Sequence, residues 1–186
     1  MSFFGKIFGR HRGKSIGVSE KSKSYTIDIR DDCFVINGEK LEVPMHIDAL
    51  SKVLGEPRAK RFKTDPESEH VLEVMHGEPI TDRVNYTWDE LGLMCYTYNG
   101  KVVNTFGICI QPQISDSPSN PKQLFGGKLT INGEHWLSVA LAGRDEDVFR
   151  EFTVGNYLIT AEYTDFDQDD ATRDETSFTG LEIQLK

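Results

Sequence analysis

Three Asn-Gly dipeptides, each set between runs of alternating apolar residues, constrain this chain more than any other feature. They stand at Asn37-Gly38, Asn99-Gly100 and Asn132-Gly133, and two share the tetrapeptide Ile-Asn-Gly-Glu, at 36–39 and 131–134. A type I′ turn needs positive φ at both central residues, which Asn and Gly tolerate best, and its twist matches that of the strands it joins. Antiparallel hairpins are therefore expected at all three places. The shared tetrapeptide fits either a duplicated hairpin or coincident turn chemistry.

The pattern around the turns predicts the remaining elements. Tyr25 to Ile29 alternates as a strand, and Cys33 to Ile36 pairs through Asn37-Gly38 with Lys40 to Val43, where Pro44 ends the strand. His46 to Leu54 reads as a short helix with Ile47, Leu50, Val53 and Leu54 on one face, Gly55 as its stop and Pro57 just beyond. Arg58 to Pro79 is polar and indistinct, with Val71, Leu72, Val74 and Met75 suited to one helical turn or a short strand. Tyr86 to Tyr98 and Lys101 to Ile110 form the second hairpin, rich in aromatic and β-branched residues. Leu124 to Leu141 forms the third around Asn132-Gly133, Asp145 to Phe152 reads as a short helical turn, and strands follow at Tyr157 to Tyr163 and Thr179 to Leu185. The expected fold is α+β, an antiparallel sheet built from Asn-Gly hairpins with one or two short packed helices and two lobes. Along the chain it comprises a basic amphipathic or disordered tail at 1–23, a hairpin-helix-hairpin lobe at 24–110, a Pro/Ser-rich loop or linker at 111–123, and a second β-rich lobe at 124–186.

Charge narrows the class of partner. The first 23 residues hold six Lys or Arg against Glu20, net +5, while the rest has 15 basic and 29 acidic residues, net −14. A body that acidic repels nucleic-acid phosphates, so no nucleic-acid partner is expected, and a basic protein surface is favoured instead. In the tail, Phe3, Phe4, Ile7 and Phe8 lie on one face beside Lys6, Arg10 and Arg12, the pattern of a weak interfacial anchor or of a disordered leader. Cys33, Cys95 and Cys109 sit in predicted strands without CxxC spacing, which suits buried, reduced thiols in a cytoplasmic protein.

No catalytic constellation emerges. His70 and His76 are six apart, on different helix faces or about 20 Å apart along a strand. His11, His46 and His135 are scattered, and neither HExxH nor zinc-finger spacing occurs, so no metal or cofactor is expected. There is no GxSxG elbow and no phosphate-binding glycine loop. Asp89 and Glu90 are adjacent carboxylates, but Asp89 reads as the cap of a turn through Leu91. The densest charge lies at 162–175: Glu162, Asp165, Asp167, Asp169, Asp170, Asp174 and Glu175 against Arg173. Asp165-x-Asp167-x-Asp169 matches the start of a calcium loop, yet the position that needs glycine is Asp170 and the one that needs glutamate is Thr176. Three readings remain: a solvated acidic loop, a carboxylate patch that pairs with a cationic partner, and a looser calcium site.

The stretch Phe34-Val-Ile-Asn-Gly-Glu-Lys-Leu41, the helix end Leu50-x-x-Val-Leu-Gly-Glu-Pro57, and Tyr86-Thr-Trp-Asp-Glu-Leu-Gly-Leu93 with Val102–Ile110 resemble a little-characterised group of bacterial proteins. That group is associated with polymorphic toxin and type VI secretion loci, where its members are regarded as immunity proteins. The Leu-Gly-x-Pro step is also similar to the small α+β lobes of the beta-lactamase-inhibitor and outer-membrane assembly lipoprotein type, although no lipoprotein cysteine stands near the start here. The first resemblance covers about 24–110 and implies a non-catalytic, cytoplasmic inhibitor of a cognate antibacterial toxin. Joined to the charge pattern, it predicts a basic effector such as a nuclease as partner. The expected contacts are Asp165, Asp167, Asp169, Asp170, Asp174 and Glu175, with Trp88 or Tyr98 as aromatic anchor. The competing expectation is a peripheral membrane or envelope scaffold held by weak membrane-surface contact through residues 1–23.

Overall fold

The first hairpin forms where the alternation puts it. Strand β1 (Thr26–Ile29) turns inward Ile27 and Ile29, and β2 (Cys33–Ile36) pairs with it antiparallel while burying Phe34 and Ile36. Asn37 and Gly38, at φ 53° and 86°, close β2 onto β3 (Glu39–Glu42) in a type I′ turn. Helix α1 (Ile47–Leu54) then lays Ile47, Leu50 and Leu54 on the core and stops at Gly55, φ 88°. A computed structural model of the chain describes residues 25–63, 70, 71, 73, 74, 77, 79–112, 117–146, 148–165 and 168–185.

The polar stretch after α1 holds a strand the sequence did not reveal: β4 (Arg58–Arg61), antiparallel to β5 (Val84–Trp88). Its Arg-Ala-Lys-Arg composition hides it, because an edge strand need not alternate hydrophobicity when neither face is deeply buried. Strands β6 (Leu93–Thr97) and β7 (Val103–Cys109) follow, and β8 (Lys128–Ile131) joins β9 (Glu134–His135) through Asn132-Gly133, again at positive φ. The third hairpin is shorter than expected, since Trp136 starts helix α2 (Trp136–Leu141). Trp136 and Ala140, one turn apart, are its buried pair, so helical spacing prevails over the apparent alternation of Leu137, Val139 and Leu141. The described chain ends with β10 (Arg144–Asp145), β11 (Phe149–Val154), β12 (Tyr157–Tyr163) and β13 (Phe178–Gln184), so the helical turn expected over 145–152 is instead part of a β10–β11 hairpin, where Phe149 to Val154 pair with β12.

These strands form two sheets, in the orders β3-β2-β1-β8-β9 and β10-β11-β12-β13-β7-β6-β5-β4. All pairings between these strands are antiparallel except β1 with β8. The fold is thus α+β and mainly antiparallel. Each sheet draws strands from both sides of 111–123, and a single buried cluster joins their inner faces. Phe34 of the small sheet meets Phe106 and Tyr157 of the large one, with ring centroids 5.6 and 5.5 Å apart. The segment 111–123 therefore does not separate one sheet from the other. Its described portion is fastened to the large one: the Ser119 carbonyl accepts from buried Asn85 and Thr87, and Gln123 N–H donates to the Asp89 carbonyl. Cys33, Cys95 and Cys109 are buried, and no disulfide joins them. Among the described residues no helix is long and apolar enough to cross a membrane.

Candidate functional site

Side chains of directly paired residues share a face of the sheet. On the inner face of the large sheet one such row runs Trp88, Leu93, Ile108, Leu181, Ala161, Arg150 and Asp145. An apolar row thus ends in an arginine that is only 6% exposed. A buried guanidinium is tolerated only when its donors are satisfied. Arg150 donates Nε–H to the Tyr163 hydroxyl, Nη1–H to the Gly143 carbonyl at 3.1 Å, and pairs through Nη2 with Asp170 and with Asp145 at 3.0 Å.

A second arginine completes the support. Arg173, also buried, lays its guanidinium on the Tyr163 ring, 3.7 Å from the centroid, where the ring quadrupole attracts it. It donates Nε–H to Asp170 at 3.0 Å and Nη1–H to the Asp165 carbonyl, also at 3.0 Å. Asp170 is thereby held between two guanidinium groups. The Arg150 hydrogen bond, chiefly, keeps its carboxyl below the usual value despite partial desolvation. Burial raises the Tyr163 hydroxyl, an effect Arg150 partly offsets.

The loop resting on this base is built from two 3-10 turns. Asp169 caps the first (Asp170–Thr172) by accepting from Ala171 N–H. Asp174 caps the second (Glu175–Ser177) in a reciprocal capping box with Ser177. Hydrogen bonds from Thr176 lower the Asp174 carboxyl. Glu175 lies 2.8 Å from His135 Nε2, which ties the loop to the β9–α2 junction. Asp165, Asp169, Asp170, Asp174 and Glu175 are all exposed, on a loop fixed from beneath.

The predicted contact residues thus fall into three groups. Asp165, Asp169, Asp174 and Glu175 are exposed, whereas Asp170 is turned to the arginines, and Asp167 lies outside the described residues. Trp88 and Tyr98 are corrected from anchors to interior residues, 4% and 8% exposed. Trp88 sits in the main core and donates Nε1–H to the Gly55 carbonyl at 2.7 Å, while Tyr98 packs with Ile80. Sequence reasoning missed Arg150, since an arginine inside a short alternating strand reads as solvent-facing. Its register opposite Ala161 was the only signal, and pairing is invisible in one strand alone.

Other sequence candidates settle elsewhere. Asp89 accepts both Nε–H and Nη2–H of Arg58 at 2.8 Å, so it anchors β4 to the β5–β6 turn. His46 precedes α1 without a side-chain cap. Among the described residues, no three of His, Cys, Asp or Glu converge as a metal site. His11, His76 and the tail at 1–23 lie outside the described residues.

With this geometry stands one match to known proteins: residues 26–142 fit the family described as a domain of unknown function, DUF7738. The chain belongs to that family. The DUF7738 span supplies the whole small sheet, α1, α2 and strands β4–β7 of the large sheet. The arginine base and the acidic loop come after it. No curated protein and no solved structure matches the chain.

Proposed function

We propose that this chain is a non-catalytic immunity protein that binds a cognate antibacterial toxin, a basic effector such as a nuclease, and covers its active or substrate-binding surface. The observation that carries the proposal is the acidic loop itself. Arg150 and Arg173 hold it from the inside, and Asp169, Asp174 and Glu175 stay exposed on a short, doubly capped frame. A preorganised carboxylate cluster loses little conformational freedom on binding and steers a cationic partner during encounter. Carboxylates so fixed can stand where nucleic-acid phosphates would lie on a basic enzyme. The net charge of −14 beyond residue 23 adds a long-range field of the same sign.

The test is co-expression of the tagged chain with the product of the neighbouring reading frame. A stoichiometric complex that weakens with salt and protects cells from that product supports the reading. The triple variant Asp169→Lys, Asp174→Lys, Glu175→Lys is expected to lose at least tenfold in affinity and most of the salt dependence. If charge reversal changes neither, the loop is not the binding surface.

A further inference from the structure

Among the strands at the sheet edges, β4 stands apart in charge. Residues 58–63 read Arg-Ala-Lys-Arg-Phe-Lys, so four of the 15 basic residues beyond position 23 fall within six positions of an otherwise acidic body. The other edges, β3, β9 and β10, each carry a carboxylate. Arg58 is matched by Asp89 and Arg61 by Asp82. Lys60 and Lys63 meet no carboxylate among the described residues, and Lys60 Nζ lies instead 4.9 Å from the centroid of the Phe62 ring. The Arg83 guanidinium lies 4.5 Å from the same ring, so half-buried Phe62 forms an apolar platform with two cations on it.

The backbone of β4 is open on the side away from β5. Phe62 N–H donates to the Arg83 carbonyl at 3.0 Å, and the register Arg61↔Val84, Lys60↔Asn85, Ala59↔Tyr86 and Arg58↔Thr87 continues from that pair. Antiparallel ladders alternate hydrogen-bonded with non-hydrogen-bonded pairs. Phe62, Lys60 and Arg58 therefore turn their peptide groups to β5, and Ala59 and Arg61 turn theirs outward. No strand follows β4 in the sheet order, both residues are exposed, and no described residue bonds to their outward groups. Such a row of N–H and C=O groups is the template that an extended chain completes by strand addition.

We propose that β4 is a docking edge for an acidic, extended segment of a partner protein, which adds to the large sheet as a further strand. The peptide groups of that segment bond to Ala59 and Arg61. Its carboxylates meet Lys60 on one face and Arg61 on the other, with Lys63 next along, and an apolar neighbour covers Phe62. The same charges repel the β4 edge of a second copy, so this edge selects its strand by sign. A nucleic acid would use the cations alone and leave the outward peptide groups unmatched, and the net −14 of the body repels it. β4 and β10 close opposite ends of the large sheet, so this surface is separate from the arginine base beside β10 and does not depend on the immunity reading.

The experiment is an NMR titration of the full chain with the peptide acetyl-Thr-Glu-Val-Glu-Glu-Val-Thr-amide. Its controls are a fully N-methylated copy, which keeps the charge and loses every N–H donor, and oligothymidylate. Saturable shifts at the Ala59 and Arg61 amides, with slowed hydrogen exchange there, are expected from the unmodified peptide alone. Ala59→Pro removes an outward N–H and spares the bonds to β5, and is expected to weaken binding roughly tenfold. The double variant Lys60→Glu, Lys63→Glu, which breaks no ion pair, is expected to lose roughly as much. Equal binding of the N-methylated copy would reduce the surface to charge alone, and preference for oligothymidylate would assign it to nucleic acid. Either result overturns the docking edge, as does unchanged affinity in both variants or the lack of saturable binding. Charge reversal at Asp169, Asp174 and Glu175 should leave peptide binding undiminished, so failure of the immunity reading would not remove this one.

Discussion

Glu182 shows how a single residue makes the stability of the whole fold depend on pH. Its carboxyl is raised from an ordinary 4.5 to about 7, first by burial and then by Glu162. Between those values the folded chain holds a proton that the unfolded chain has released, so stability falls as pH rises through this window and stays low above it. Linkage puts the full loss at about 3 kcal/mol. Glu182→Gln is therefore expected to gain urea stability over the wild type at pH 8 and to differ little at pH 4.5. An equal difference at both pH values would mean that another group sets the dependence. Arg150 raises the opposite case, a buried charge with every contact made. Arg150→Ala would leave Tyr163 and the Gly143 carbonyl without their donor and free Asp170 on one side. A loss of about 3 kcal/mol is expected, below the largest values for buried pairs because Asp145 and Asp170 are half exposed. Faster amide exchange at 168–175 would locate the damage in the loop.

At the scale of elements, the four edge strands share a property. The small sheet ends in Glu-Lys-Leu-Glu and Glu-His, and the large sheet in Arg-Ala-Lys-Arg and Arg-Asp. Charge on an edge discourages pairing with a second chain, and here it covers every edge of both sheets. The double variant Lys60→Val, Arg61→Val on β4 is expected to associate at concentrations where the wild type stays monodisperse, as light scattering would reveal. Its fold should change little, because the Arg61–Asp82 pair is exposed. The same strand marks a limit of sequence reading: β4 carries no hydrophobic period. The hairpins were legible where turn chemistry is local. Asn37 and Asn132 take φ of 53° and 50° as the repeated tetrapeptide predicts. Asn99 does not join them, because its Oδ1 accepts from Lys101 and Val102 N–H and folds a wider loop, although the dipeptide is identical. Of the site, the acidic loop was visible as composition, but its arginine base and the burial of Glu182 depend on register between distant strands.

At the scale of the molecule, the order of strands decides what can fold alone. β1–β3 need β8 and β9 to complete the small sheet, and β7 needs β13 in the large one. Residues 25–112 would expose the sides of β1 and β7 that the missing strands cover, and would lose Leu129, Ile131, Tyr157, Phe178 and Ile183 from the core. Each such buried side chain contributes roughly 1.5–3 kcal/mol, so their joint loss exceeds the net stability of most domains. One cooperative unfolding step is expected for the intact chain. Trp88 and Trp136 lie on either side of 111–123 yet in the same core, and serve as probes. In each single-tryptophan variant, Trp88→Phe and Trp136→Phe, the urea transition followed by fluorescence should coincide with that followed by far-UV circular dichroism. Fragments 25–112 and 117–186 should each lack a cooperative transition alone. Separate fluorescence midpoints, or a fragment that melts cooperatively by itself, would show that the chain is divided near 111–123 after all, despite the strands its two sides exchange.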